Sequence, residues 1–215
     1  MSFDDRFEMA DGVTRLPMFP LGSAVFPFTA ITLRVFEPRY QELLDRVMEA
    51  DRRFGIVLIE RGSEVGGGDA RFEVGTMVEV MQVIDLDGGH KAVALAGVGR
   101  LRVERWLDDD PHPWAEVSML QFGEPPGLDE VDRLAALLDR VLALASELGA
   151  DVFSIGDREV ADDPLAAAYQ LAAMSPLTPL DQQTLLGEHD PSRMIDLACD
   201  MLKDQAELLE ARLGS

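Results

Sequence analysis

Apolar residues are spaced differently on the two sides of the breaker cluster Gln121-Phe-Gly-Glu-Pro-Pro-Gly127. Before it they come in short, β-rich runs punctuated by glycine and proline; after it they recur at helical spacing. Leu16–Phe19 reads as a strand between prolines, and Ile31–Phe36 as a second. Pro38 then stands where a helix begins, because the N–H it lacks has no partner in a first turn. Tyr40, Leu43, Leu44, Val47 and Met48 share one face of that helix. Phe54–Ile59 is a continuous apolar run, hence a buried strand, and Gly62–Asp69, with Gly66-Gly67-Gly68, is a flexible loop. Thr76–Leu86 alternates, with Val78, Val80 and Ile84 on one face. Asp87-Gly88-Gly89-His90 turns the chain, and Lys91–Val98 returns. Gly97-Val-Gly99 reads as a tight turn into a further strand, Arg100–Trp106, and Ala115–Phe122 is the last. Many short antiparallel strands with one helix predict a small, partly closed barrel.

Beyond the breaker cluster, Leu128–Leu148 places Val131, Leu134, Leu138, Val141, Leu142 and Ala145 on one stripe. Asp163-Pro164, Thr178-Pro179 and Asp190-Pro191 each pair a capping side chain with proline at the first helical position. The first of these helices runs to Met174 and the second ends near Gly187. The last carries Met194, Leu197, Ala198, Met201, Gln205, Leu208 and Leu209 on one face. The expected organisation is a tail over 1–13, a β-rich lobe over 14–124 and a helical lobe over 125–215. The fold class is α+β, a twisted antiparallel barrel-like lobe with one helix followed by a helical bundle. The linker is short and the stripes are rich, so the lobes are expected in contact.

Charge narrows the function classes. The 215 residues hold 40 acids against 19 bases, a net charge of −21, and only Lys91 and Lys203 are lysines. Residues 1–126 carry 22 acids and 13 bases; residues 127–215 carry 18 and 6. Such a surface repels nucleic acid, whose affinity comes from neutralised phosphates, and repels anionic membranes as well. Cys199 is the single cysteine, so a disulfide framework and CxxC motifs are excluded, and a reducing compartment fits. The N-terminus is acidic with no apolar core segment, so no signal peptide is expected. The longest apolar run, Ala92–Val98, is far too short to span a bilayer. The expected location is the cytoplasm; the pattern specifies no oligomeric state.

Catalytic chemistry finds no foothold. A phosphate cradle needs a glycine-rich turn with Gly-Lys-Ser/Thr, which is missing. Gly97-Val-Gly99-Arg-Leu-Arg102 has arginine where a dinucleotide fingerprint has its third glycine. His90, His112 and His189 lie in turns, read as exposed, and no pair has metal-ligand spacing. Asp108-Asp109-Asp110 and Asp162-Asp163 read as loop caps and solvated charge, and Cys199 as a small buried hydrophobe. No cofactor, no metal and no catalytic residue are expected.

Leu16-Pro-Met-Phe-Pro-Leu-Gly-Ser-Ala-Val-Phe-Pro27 followed by Leu33-Arg-Val-Phe-Glu-Pro-Arg-Tyr40 resembles the N-terminal substrate-binding domain of the Lon protease family. The likeness continues through Phe54–Ile59, Val74-Gly-Thr76, Gly97-x-x-Arg100 and Ala115-Glu-Val117. In the helical part it rests on Asp181-x-Gln183-x-Leu-Leu186 and Asp190-x-x-Arg193. Phe28 stands where the family usually has glycine, and Gly187 where an acid is common. The resemblance implies a PUA-like barrel lobe, a helical lobe and a role in binding polypeptides. It also implies a free-standing recognition domain without the family's ATPase and Ser–Lys peptidase modules.

The function expected is therefore non-enzymatic recognition of unfolded or apolar polypeptide segments with basic flanks. Candidate contacts are Phe28, in a proline-flanked loop, and Met77 and Met81, on the face opposite Val78 and Val80. Phe36–Tyr40 is expected to form a fold-defining corner. Two alternatives remain. One is a small-molecule sensor or enzyme with an anion held in the inter-lobe cleft by Arg34, Arg39 and Arg100; the other is an adaptor that delivers substrates to a separate protease.

Overall fold

The computed structural model describes residues 12–61, 70–150 and 160–214. The tail through residue 11 and the glycine-rich loop at 62–69 lie outside the described residues. The chain is mixed α/β, with a six-stranded sheet and five α-helices among the described residues. The strands are β1 (Thr14–Leu21), β2 (Ala30–Val35), β3 (Arg53–Arg61), β4 (Ala70–Asp85), β5 (Lys91–Trp106) and β6 (Trp114–Met119). The helices are α1 (Pro38–Met48), α2 (Leu128–Glu147), α3 (Pro164–Met174), α4 (Pro179–Gly187) and α5 (Pro191–Leu213).

The sheet order is β2-β5-β4-β3-β1-β6, and β6 also pairs with β5. The pairings β5-β4-β3-β1-β6-β5 therefore form a circuit, with β2 attached to the first half of β5. One expectation fails at this level. The strands are not all antiparallel, because β1 and β3 run parallel, Met18 opposite Gly55 and Leu21 opposite Leu58. The connection between them passes through β2 and α1, the long crossover that parallel strands require.

Gly97 and Gly99 do not turn the chain. They lie inside β5, one continuous strand of 16 residues. A Cβ at Gly97 would sit 2.2 Å from the Phe26 carbonyl oxygen. The glycine is needed because the Phe26–Thr29 loop crosses the strand at this point: the Phe28 amide donates to the Gly97 carbonyl, and the Gly97 amide donates to that of Thr29 (both 2.8 Å).

The core has three parts. Phe19, Tyr40, Leu43, Leu44, Val47, Phe54, Val78, Val80, Val93 and Leu95 pack together under α1. Leu16, Met18, Val57, Met77, Leu101, Val103, Ala115 and Val117 fill a second cluster between strands. The third unites α2, α3, α4 and α5, and it includes Phe26 from the loop before β2. Phe28, Val74 and Phe122 pack against that third cluster, so the strand and helical parts are in direct contact. Burying a side chain the size of Phe26 there contributes ~1.5–3 kcal/mol.

The three Pro-initiated helices begin as expected. Asp163 accepts from the Ala166 amide (2.9 Å), Thr178 from Asp181 (3.2 Å), and Asp190 from Ser192 and Arg193 (3.0 and 3.5 Å). The face of α5 is rotated from the expected one. Pro191, Met194, Ile195, Ala198, Cys199, Leu202 and Ala206 are buried, while Leu208 is 64% exposed. Small residues at 198, 199 and 206 line the side that packs in the helical core, an effect periodicity alone does not register.

Candidate functional site

Several of the family-like residues, Val74–Thr76, Gly97, Arg100 and Gln183, lie at the junction between strands and helices. Arg100, in the middle of β5, is 1% exposed. Its guanidinium donates through Nη1 to the carbonyls of Leu186 (3.2 Å) and Glu188, at the end of α4, and through Nη2 to Gln121 (3.0 Å). The group lies over the Phe122 ring, 5.7 Å from its centroid. Burial lowers the Arg100 pKa from its ordinary value, and Tyr169 and Glu188 oppose that shift. Arg100 is thus a buried tie between β5 and the end of α4, which corrects its assignment as an anion contact: both Nη groups already serve main-chain carbonyls, and the remaining donor, Nε, is buried without a partner.

Two further side chains cross the junction, and a third, Thr76, ties β4 to the loop before β2. Gln183 of α4 donates to the Val74 carbonyl (2.9 Å), Gln170 of α3 donates to that of Phe28 (2.8 Å), and Thr76 of β4 donates to that of Val25 (2.5 Å). Gln170 Oε1 also accepts from the Ala161 amide at 2.8 Å. Each satisfies main chain that β-ladders and helices leave unpaired.

Phe28 sits beside these ties with φ 61°, in the left-handed region that favours glycine. That conformation accounts for glycine at the equivalent place in the resembling family. Its ring packs on Phe122 and Tyr169, with centroids 5.3 and 6.0 Å away. The half-buried ring forms one wall of an open groove of about 470 Å³, lined also by Ala24, Phe26, Ile31, Gln170, Ala173 and Met174.

The two methionines separate. Met81 is 60% exposed, but Met77 is 2% exposed and packs among Leu101, Val103 and Val117. Met77 is therefore a core residue and no surface contact. The β4–β5 register shifts between Met77 and Val78, and again between Val80 and Gln82. These irregularities break the alternation that placed both methionines on one outer face. Ile84 and Leu86, farther along the hairpin, are exposed at 49% and 39%.

Arg34 and Arg39 lie around the start of α1, away from Arg100. Arg34 is 2.7 Å from His90 Nδ1. Arg39 pairs with Glu37 (3.0 Å) and lies 4.5 Å from the centroid of the Tyr40 ring. Tyr40 in turn stacks on Phe19 at 4.1 Å, and Phe36 is 51% exposed. Among the described residues, the groove beside the start of α1 is lined by Arg34 but by neither Arg39 nor Arg100.

His112 corrects another expectation: it is fully buried. Its ring packs 5.1 Å from that of Trp114, and Nδ1 lies 3.1 Å from the Pro113 carbonyl, so the ring donates there in its neutral form. Burial lowers its pKa, helped by the Arg46 charge, while the Pro113 bond opposes the shift. Cys199 is buried as expected, and burial raises its thiol pKa. Asp109 is engaged by Arg71 (2.9 Å), which lies over the Trp106 ring. Among the described residues no cluster of His, Cys, Asp or Glu could hold a metal ion, and no helix is long and apolar enough to cross a membrane.

A β-circuit clasped to helices by buried polar ties, with an apolar groove at their junction, describes a domain built around a surface. A family model described as the ATP-dependent protease La (LON) substrate-binding domain matches residues 15–204. The chain belongs to the Lon substrate-binding domain family. The Lon protease of Escherichia coli strain K12 is 26% identical over 204 residues, covering 91% of this chain and 25% of that protein. Lon protease 2 of Sorangium cellulosum is 27% identical over 207 residues, covering 92% and 25%. The chain thus spans about a quarter of the length of these relatives. A Lon N-terminal domain protein from Xanthomonas campestris superposes with a TM-score of 0.64 at 30% identity, covering 85% of this chain and 95% of that one. The N-terminal domain of a Mycobacterium avium complex Lon protease shares the fold, with a TM-score of 0.63 at 17% identity.

Proposed function

We propose that this domain recognises polypeptide substrates and performs no catalysis itself. The observation that carries the reading is the family match across residues 15–204, to a domain described as substrate-binding. In this reading residues 14–124 form a PUA-like barrel lobe, residues 125–215 a helical bundle, and the groove beside Phe28 lies where the two meet. Unfolded segments with apolar side chains would enter that groove, with Met81 as a separate adaptable contact. Basic flanks would be favoured because a chain of net charge −21 attracts opposite charge at long range. The same charge argues against nucleic acid as the partner. Affinity should be modest, since a disordered ligand loses entropy on ordering.

Fluorescence anisotropy with a labelled, carboxymethylated unfolded polypeptide tests the reading. Wild type should bind it, and Met174→Glu, which puts a charge on the groove wall, should bind several-fold more weakly while keeping its unfolding midpoint. Absence of binding by wild type, or ATP or casein turnover that copurifies with the folded chain, would overturn it.

A further inference from the structure

A second groove, of about 530 Å³, opens on the other side of the junction, between α4 and the start of β4. Like the groove beside Phe28 it has apolar walls, but its charge differs. Its walls include the apolar surfaces of Phe72, Val74 and Leu180, and Leu180 is 59% exposed. Its lining includes the exposed carboxylates of Glu60 and Glu73, neither with an ion-pair partner among the described residues. The one cation in the lining, Arg71, is bound to Asp109. The groove therefore carries uncompensated negative charge over an apolar floor.

Gln183 adds an independent observation. It is 6% exposed, lines this groove and spends its amide nitrogen on Val74. Its Oε1 has no hydrogen-bond partner. A buried acceptor left unpaired is costly, so a donor that reaches it gains more than an ordinary surface bond. At the end of α4, Gly187 also lines the groove, and a Cβ there would meet nothing within 4 Å. The absent side chain leaves that end open.

We infer that this groove receives an arginine or lysine side chain of a bound polypeptide, its aliphatic stem on Leu180 and Phe72 and its cationic head toward Glu60 and Glu73. Both side chains combine an apolar stem with several N–H donors and no acceptor, matching the apolar floor, the two carboxylates and the unpaired Gln183 oxygen. The inference rests on the proposed polypeptide recognition and deepens it: basic flanks would be read locally as well as attracted by net charge.

The test uses the full chain and two labelled unstructured peptides. One carries leucines and glutamines; its twin has arginines in place of the glutamines. Anisotropy titrations compare wild type, Glu60→Gln/Glu73→Gln, Gly187→Leu, and Asp204→Asn/Glu207→Gln, which removes the same charge from exposed positions on α5. Wild type should prefer the arginine peptide. The groove double variant should lose roughly fivefold in affinity for that peptide, the scale of two exposed ion pairs, and keep its affinity for the glutamine peptide. Gly187→Leu should weaken the arginine peptide alone, and the α5 variant should match wild type. Equal loss in the α5 variant, or no arginine preference in wild type, would overturn the groove inference while leaving polypeptide recognition standing. Binding of neither peptide by wild type would overturn the recognition reading itself.

Discussion

The strand–helix junction and the tip of the β4–β5 hairpin are built on opposite plans. At the junction, Arg100, Gln183 and Gln170 satisfy main-chain carbonyls. At the hairpin tip, Met81, Ile84 and Leu86 leave large apolar surfaces exposed, and among the described residues no helix covers them. The junction should therefore govern stability, and substitutions at the tip should leave it nearly unchanged. A groove walled by junction residues inherits rigidity from those ties, so a ligand there meets a preformed surface. A ligand at the tip meets flexible side chains that adapt to it.

The sharpest break would come from Arg100→Ala, which strands the carbonyls of Leu186, Glu188 and Gln121. Urea unfolding should show a loss of about 2–4 kcal/mol, the scale of leaving buried carbonyls without their charged donor. A change below 1 kcal/mol would remove Arg100 from the account of how α4 is held. Next in size is Gly97→Ala, whose Cβ would lie 2.2 Å from the Phe26 oxygen. Forcing the loop off β5 should cost about 2–3 kcal/mol by the same measurement.

Phe28 sharpens the comparison because two effects oppose each other there. Removing the ring loses its packing on Phe122 and Tyr169, but glycine relieves the positive φ. Phe28→Gly should be more stable than Phe28→Ala by ~1 kcal/mol, although both fall below wild type. Identical midpoints would mean that backbone strain at 28 contributes nothing.

His112 supplies a pH dependence. Its folded pKa lies below the ordinary value, so on acidification the unfolded chain takes up the proton first. Its contribution to stability is present above about pH 6.5 and is lost as pH falls below it, with a slope of at most ~1.4 kcal/mol per pH unit. Wild type should lose more stability than His112→Gln between about pH 7 and pH 5.5. Parallel curves would contradict a neutral buried ring. The smallest effect belongs to the tip: Met81→Ser should stay within ~0.5 kcal/mol of wild type.

Local chemistry made much of the fold legible. Proline at the first turn of α1, α3, α4 and α5 is written in the sequence, as are the capping residues Asp163, Thr178 and Asp190. The family likeness rested first on Leu16–Pro27 and Leu33–Tyr40 and continued through Val74–Thr76, Gly97, Arg100 and Gln183, and the fold gathers that continuation at one junction. What alternation could not carry was irregularity. Register shifts around Met77 and Met81 sent one methionine inward and the other out. Gly97 reads as a turn until a second segment is known to cross it. His112 reads as exposed because its flanking prolines say nothing about the Trp114 ring beside it. The grooves were illegible for the same reason, since each joins residues far apart in sequence, Phe28 to Met174 and Glu60 to Gly187.

Amide hydrogen exchange with and without the carboxymethylated unfolded polypeptide tests the central claim, recognition at the strand–helix junction, most directly. The account predicts ligand-dependent protection in the segment 24–31 and in the last turns of α3, with the α2 surface unchanged. Protection confined to surfaces away from the junction, or none at saturating polypeptide, would contradict it.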